Sequence, residues 1–179
     1  MADSIIKFLE DHIDLVDENK FEFLYGALPI EIDWSHLTQI LYDCGIDPLQ
    51  GFSHVPSYFA AQCNLPSNFK LPETISSIES HAFIRTNLTK IDIPARCETI
   101  GNIAFGSCTE LMIVNVGSGL REIGRYAFFG CTSLQTINYD GTLEQWYAIR
   151  KADHWLAGNP QRAKQITIRC LDGITQGKI

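Results

Sequence analysis

Any chemistry in this chain of 179 residues would have to come from its five histidines, six cysteines and 21 carboxylates. The histidines, at positions 12, 36, 54, 81 and 154, are scattered, and none stands at a metal-ligand spacing from another. The cysteines, at 44, 63, 97, 108, 131 and 170, form no C-x-x-C pair and no Cys/His cluster of zinc type. No glycine-rich phosphate loop and no nucleophile elbow occurs. Glu144 and His154 are the one pair that general acid–base catalysis could use, but a capping role at a helix start already accounts for Glu144. His36 lies beside Trp34 on a helical stripe, where a hydrogen-bonded structural histidine is expected. The sequence predicts no enzyme, no cofactor and no metal. What remains is recognition through surface side chains.

Those side chains must be positioned by a repeat. Ile78, Ile100 and Ile123 are 22 and then 23 residues apart, the pairs Ala82-Phe83, Ala104-Phe105 and Ala127-Phe128 keep that spacing, and Leu88, Leu111 and Leu134 follow at 23 and 23. A period in the low twenties with three or four apolar anchors is the mark of a solenoid, because no single unit can bury its apolar face without a neighbour. Cys108 and Cys131 are also 23 apart, and Cys63 lies 45 before Cys108, so these cysteines read as a ladder of buried thiols behaving as small hydrophobes. Within each unit the strand is LTKIDI, LMIVNV or LQTINY; alternation places Leu88, Ile91 and Ile93 inside and Lys90 and Asp92 outside. The IGxxAF section reads as a second short extended piece, with Gly101 and Gly124 allowing a bend.

Three domains are expected: an acidic helical segment over 1–54, repeats over 55–141 and a closing section over 142–179. In the first, Ile5, Ile6, Leu9, Ile13 and Val16 recur at helical spacing, and a later helix runs from an Asp33 cap through Trp34, Leu37, Ile40 and Leu41 to Gly45. From Val55 the repeat begins in degraded form, with Phe69 and Leu71 standing 22 residues before Ile91 and Ile93. In the last section GTLEQWYAI predicts a helix capped by Thr142, ITIR at 166–169 an edge strand, and Asp172-Gly173 a turn. Charge follows the same division: residues 1–54 hold 11 acids and 2 bases (−9), the remainder 10 acids and 12 bases (+2), which together give −7. No apolar run reaches the roughly 18 residues of a membrane span, and MADSIIKFLEDH carries acids where an export signal would carry bases, so a cytoplasmic location is expected.

The unit IxxIGxxAFxxCxxLxxIxI resembles the BspA-type leucine-rich repeat, and the tail YDGTxEQWxAI followed by ITIRCxDG is similar to the segment that often closes such repeats in bacterial and phage proteins. The resemblance covers residues 55–173. It implies a right-handed leucine-rich-repeat solenoid with a parallel sheet on its concave side; with the segments read above, the expected fold is α/β, the solenoid carrying a helical N-terminal cap and an α+β C-terminal cap. It also implies protein binding, and carries over no catalytic centre.

The outward positions of successive strands form the candidate site. They are Lys90, Asp92, Met112, Ile113, Asn115, Thr136 and Asn138, with Lys70 and Asp140 flanking them, and Met112-Ile113 puts an apolar spot within a polar rim. The alternative surface is acidic: Glu10, Asp11, Asp14, Asp17 and Glu18, with Glu22, would meet a basic partner or mimic nucleic acid. Direct nucleic-acid binding is disfavoured by the net charge, although Arg150, Lys151, Arg162, Lys164 and Arg169 gather near the C-terminus. The sequon Asn87-Leu88-Thr89 lies on a core leucine and is discounted. The expected function is a stand-alone binder of another protein, in concrete form a phage-borne inhibitor of a host protein in the host cytoplasm. A homo-oligomeric assembly component is the alternative.

Overall fold

The computed structural model describes Thr38, Pro48, Leu49 and residues 51–159 and 166–177. Each repeat makes one rung and contributes one strand to each of two sheets. The first sheet is wholly parallel and built of two-residue strands in the order β1 (His54–Val55), β2 (Ser77–Ile78), β4 (Thr99–Ile100), β6 (Glu122–Ile123), β8 (Arg150–Lys151). The second runs β3 (Lys90–Ile93), β5 (Ile113–Val116), β7 (Thr136–Tyr139), β9 (Thr167–Cys170), all parallel, and ends on β10 (Gly173–Gln176), which pairs antiparallel with β9. The register follows the period: Ile78 pairs with Ile100 and Ile100 with Ile123, while Ile91, Val114, Ile137 and Ile168 align across the larger sheet.

Between the sheets each rung turns a corner whose amides bond to the next rung. Phe83 N–H donates to Ala104 O and Phe105 N–H to Ala127 O, both at 2.8 Å, and Phe128 N–H donates to Trp155 O at 2.9 Å. The corner needs left-handed backbone on either side of each phenylalanine: at His81 and Arg85, at Ile103 and Ser107, and at Tyr126 and Gly130. Such a conformation costs a residue with a Cβ roughly 1–2 kcal/mol. Here it lets alternate N–H groups reach the neighbouring rung, and the bonds made there offset the cost.

The core is a set of columns. Phe83, Phe105 and Phe128 stack face to face, with centroids 5.3 and 5.2 Å apart and interplanar angles of 8° and 3°; Phe59 and Trp155 close the two ends edge-on. Beside them runs the thiol column. Cys108 Sγ donates to Phe83 O and Cys131 Sγ to Phe105 O, each at 3.0 Å, Asn159 Nδ2 reaches Phe128 O at 3.2 Å, and Thr86 holds the place between Cys63 and Cys108. Cys108, Cys131 and Asn159 satisfy carbonyls of the preceding corner, whereas Thr86 Oγ1 donates to Phe83 O of its own. Burial pushes the Cys97 thiol up to about 11, whereas Cys131 is raised first by its hydrogen bond with Cys108 and then by burial.

The α/β expectation is met mainly on its β side. A single helix longer than a turn occurs among the described residues, α1 (Leu143–Ala148), with Thr142 and Gln145 forming a capping box. Lys151 Nζ closes its far end by donating to Trp146 O and Ile149 O while lying 4.6 Å over the Trp146 ring, and burial brings its ammonium down to about 8. Four further expectations are corrected. Residues 166–169 do not form an edge strand, because β9 is flanked by β7 and β10, and β10 takes the edge. The hairpin turn is Leu171-Asp172, with Gly173 opening β10 opposite Cys170. Gly101 and Gly124 serve close approach rather than a bend: a Cβ at either would come within 2.7 Å of the preceding rung's backbone. Phe69 and Leu71, expected as the first rung, lie in no strand; Phe69 packs edge-on against Phe83, with centroids 5.6 Å apart. The N-terminal helices lie outside the described residues, apart from Thr38, which is helical and buried and donates through Oγ1 to Phe59 O at 2.8 Å.

Candidate functional site

The candidate side chains stand on the outer face of the larger sheet because strand alternation turns every second residue away from the core. Exact registration brings them into two rows. One row is Lys90, Ile113, Thr136 and Thr167, continued by Gln176; the other is Asp92, Asn115, Asn138 and Arg169, continued by Ile174. Neighbours in a row stand about 4.8 Å apart, the spacing of paired strands.

The second row is a hydrogen-bonded ladder. Asn115 Nδ2 donates to Asp92 Oδ1 at 2.5 Å, Asn138 Nδ2 donates to Asn115 Oδ1 at 2.7 Å, and Lys90 Nζ lies 3.1 Å from Asp92 Oδ1. Partial burial disfavours the Asp92 charge, but the Asn115 and Lys90 donors outweigh it and hold the carboxyl below its usual value. Both amides point the same way, which leaves Asn138 Oδ1 without a donor among the described residues, in register beside Arg169. Arg169 itself forms no ion pair among the described residues. At the carboxyl ends of the strands this row borders an open groove of about 680 Å³, to which Lys70, Asp140 and Leu171 also contribute.

The first row carries the apolar spot. Met112 is 41% and Ile113 37% exposed, and Ile113 is flanked in its row by Lys90 and Thr136. The predicted residues on β3, β5 and β7 are therefore brought onto one face, with Met112 just before β5. Lys70 and Asp140 reach the groove from outside the strands. Thr167, Arg169 and Ile174 belong to the same face and were missed. Their signal was the apolar alternation of ITIRC, which aligns Ile168 with Ile137 and so sets Arg169 beside Asn138; reading ITIR as a separate edge strand hid it.

Other candidates are taken up by structure. Asn87 of the sequon accepts from Leu65 N–H at 2.8 Å and donates to Leu65 O at 3.2 Å, so its amide is committed. His154 stacks on Tyr126 with centroids 5.7 Å apart, and no hydrogen bond joins it to Glu144. The basic cluster is divided: Arg150 pairs with Glu122, Lys151 caps α1, Arg169 lies on the sheet, and Arg162 and Lys164 lie outside the described residues, as do Glu10, Asp11, Asp14, Asp17 and Glu18. Among the described residues no group of three or more His, Cys, Asp or Glu is placed to hold a metal ion, and no helix is long and apolar enough to cross a membrane.

Short parallel strands stacked in register, one phenylalanine per corner and a polar outer face define a β-solenoid of leucine-rich repeats. The profile of the BspA type leucine rich repeat region, in six copies, matches residues 48–148, and the chain belongs to that family. A crystal structure of a leucine-rich repeat protein from Bacteroides ovatus ATCC 8483 is similar at 23% identity and a TM-score of 0.40, over 48% of this chain and 28% of that one. The chain thus spans less than a third of that protein's length. No curated protein sequence matches it. Leucine-rich-repeat folds generally serve as protein-interaction modules and are typically non-enzymatic.

Proposed function

We propose that this chain binds another protein through the outer face of its larger sheet, with Met112 and Ile113 as the apolar centre and Lys90, Asp92, Asn115, Thr136, Asn138 and Arg169 as the polar surround. The observation that carries this reading is the exposed apolar pair inside an ordered polar field. Interface energy concentrates in a few apolar or aromatic anchors surrounded by groups that exclude water. The amide ladder adds to this by fixing its side chains before a partner arrives, which lowers the ordering cost of association. The segment before residue 55 and the α1–β10 section are read as the caps that close the two ends of the core. In its narrowest form the proposal is a cytoplasmic inhibitor of a host protein, which rests on sequence features alone.

The test is capture from the native lysate on immobilised wild-type chain and on the Ile113→Asp variant, at low and at high salt. Salt screens exposed charge pairs but leaves buried apolar area effective. One protein retained by the wild type at high salt and lost with Ile113→Asp is the expected result. Retention of the same protein by that variant, or retention only at low salt, would move the site off this face and towards the acidic segment.

A further inference from the structure

We propose that β10 is a self-pairing edge, through which two copies of the chain join their larger sheets about a two-fold axis at Ile174. Three observations lead there.

The first is an open ladder. Gly177 N–H donates to Ile166 O at 2.9 Å, and the β9–β10 register pairs Thr175 with Ile168 and Gly173 with Cys170. In an antiparallel pair the bonded positions alternate. Residues 173, 175 and 177 therefore face β9, and Ile174 turns its N–H and C=O towards the outer edge.

The second is apolar exposure. Among the described residues the three most exposed large apolar side chains all border this strand: Leu171 at 73%, Tyr147 at 62% and Ile174 at 59%. They bracket it. Ile174 lies on the outer face, opposite Arg169 in the register, whereas Tyr147 reaches the other face, where its hydroxyl bonds Thr175 Oγ1 at 2.7 Å. An added strand would find apolar cover on both sides.

The third is that the described residues of the strand carry none of the usual protection. Edge strands are normally guarded by lysine, proline, a bulge or an inward charge. From Leu171 to Gly177 the only charge is Asp172, and its Oδ1 already accepts from Leu143 N–H at 2.7 Å.

This neutrality selects a second copy as the occupant. On a two-fold axis each residue meets its own image, so a charge at the centre would repel itself, while one isoleucine there exchanges both backbone bonds with its copy and packs side chain on side chain. The product is a ten-stranded sheet with both outer faces on the same side. Two copies of the proposed binding surface would then act together, so this inference extends that proposal without depending on it.

The experiment is sedimentation equilibrium from about 1 to 100 μM, a range that brackets ordinary micromolar association, on wild type, Ile174→Asp, Ile174→Lys and an equimolar mixture of the two variants. Because Ile174 is exposed, both variants should keep the wild-type circular dichroism and, at concentrations too low for the dimer, its melting curve. The expected result is a wild-type dimer, self-association of each variant weakened on the order of a hundredfold by like charges on the axis, and recovery of dimer in the mixture, where opposite charges meet. A wild type that stays monomeric, single variants that still dimerise, or a mixture no more associated than its components would each overturn the proposal. Ile113→Asp separates the two readings: it should abolish partner capture and leave the dimer intact.

Discussion

The phenylalanine column offers the sharpest test of how the solenoid is held together. Phe105 is fully buried and stacks on Phe83 at 5.3 Å and on Phe128 at 5.2 Å. Replacing it with alanine should cost about 3–5 kcal/mol, as for other buried aromatic truncations. Leucine is the more informative change, since it keeps much of the apolar volume and removes the ring. Aromatic pairs contribute about 0.5–1.5 kcal/mol beyond the area they bury, and Phe105 belongs to two, so their loss in Phe105→Leu amounts to about 1–3 kcal/mol. A double-mutant cycle isolates the pair term. Phe83→Leu with Phe105→Leu should show a coupling of about 0.5–1.5 kcal/mol, whereas Phe83→Leu with Phe128→Leu, separated by a whole rung, should add within about 0.5 kcal/mol. Urea unfolding followed by circular dichroism, with unchanged slopes, supplies the four free energies of each cycle. Equal coupling in the two cycles would refute the nearest-neighbour picture and point to a core that relaxes as a whole.

Two other perturbations test separate parts of the structure. Gly101→Ala would drive a Cβ to 2.7 Å from the backbone of Glu79 and Ser80, so it should destabilise by about 1–3 kcal/mol through overpacking, whereas Gly51→Ala meets open space and should cost only the strain of its left-handed backbone, about 1–2 kcal/mol; denaturant titration of both ranks the two mechanisms. Asp92 is held below its usual pKa, so the folded chain releases this proton more readily than the unfolded one. Its contribution is therefore complete above the ordinary aspartate value of about 4 and is lost as pH falls through the lowered value. Asp92→Asn should flatten that acid limb of the stability curve and leave stability near neutrality little changed, because both the residue and its Lys90 partner are exposed.

The rungs were legible because one constraint repeats. The Ile, Ala-Phe and Leu anchors had to recur at 22 or 23 residues to meet their neighbours, and strand alternation then gave the inside and outside of LTKIDI without further information. The corners were hardly legible, since most of their left-handed positions hold tyrosine, glutamine, histidine, arginine, isoleucine or serine, and glycine marks that backbone only at Gly130 and Gly158 among the described corners. The last rung was obscured for another reason. Ile123 and Lys151 are adjacent in the short sheet but 28 residues apart, because α1 is inserted between them, and the lengthened period hid the strands by which this section continues both sheets. The same insertion hid Arg169. The ladder itself was only half visible: Asp92, Asn115 and Asn138 could be aligned, but the direction of their amides follows from geometry.

The two faces of each long strand are under different constraints, and that difference supports recognition as the function. Inward residues must match the rungs above and below, so Ile91, Val114, Ile137 and Ile168 are interchangeable aliphatic groups of similar size. Outward residues answer to no such requirement. A chain selected only for stability could fill them with any polar residue of good strand propensity, and an exposed methionine and isoleucine side by side would add nothing to the fold while raising the tendency to associate. Their place beside the amide ladder, and the unguarded isoleucine at the far end of the same ladder row, are costs to solubility that a lone solenoid would not need. A surface that meets other chains accounts for both.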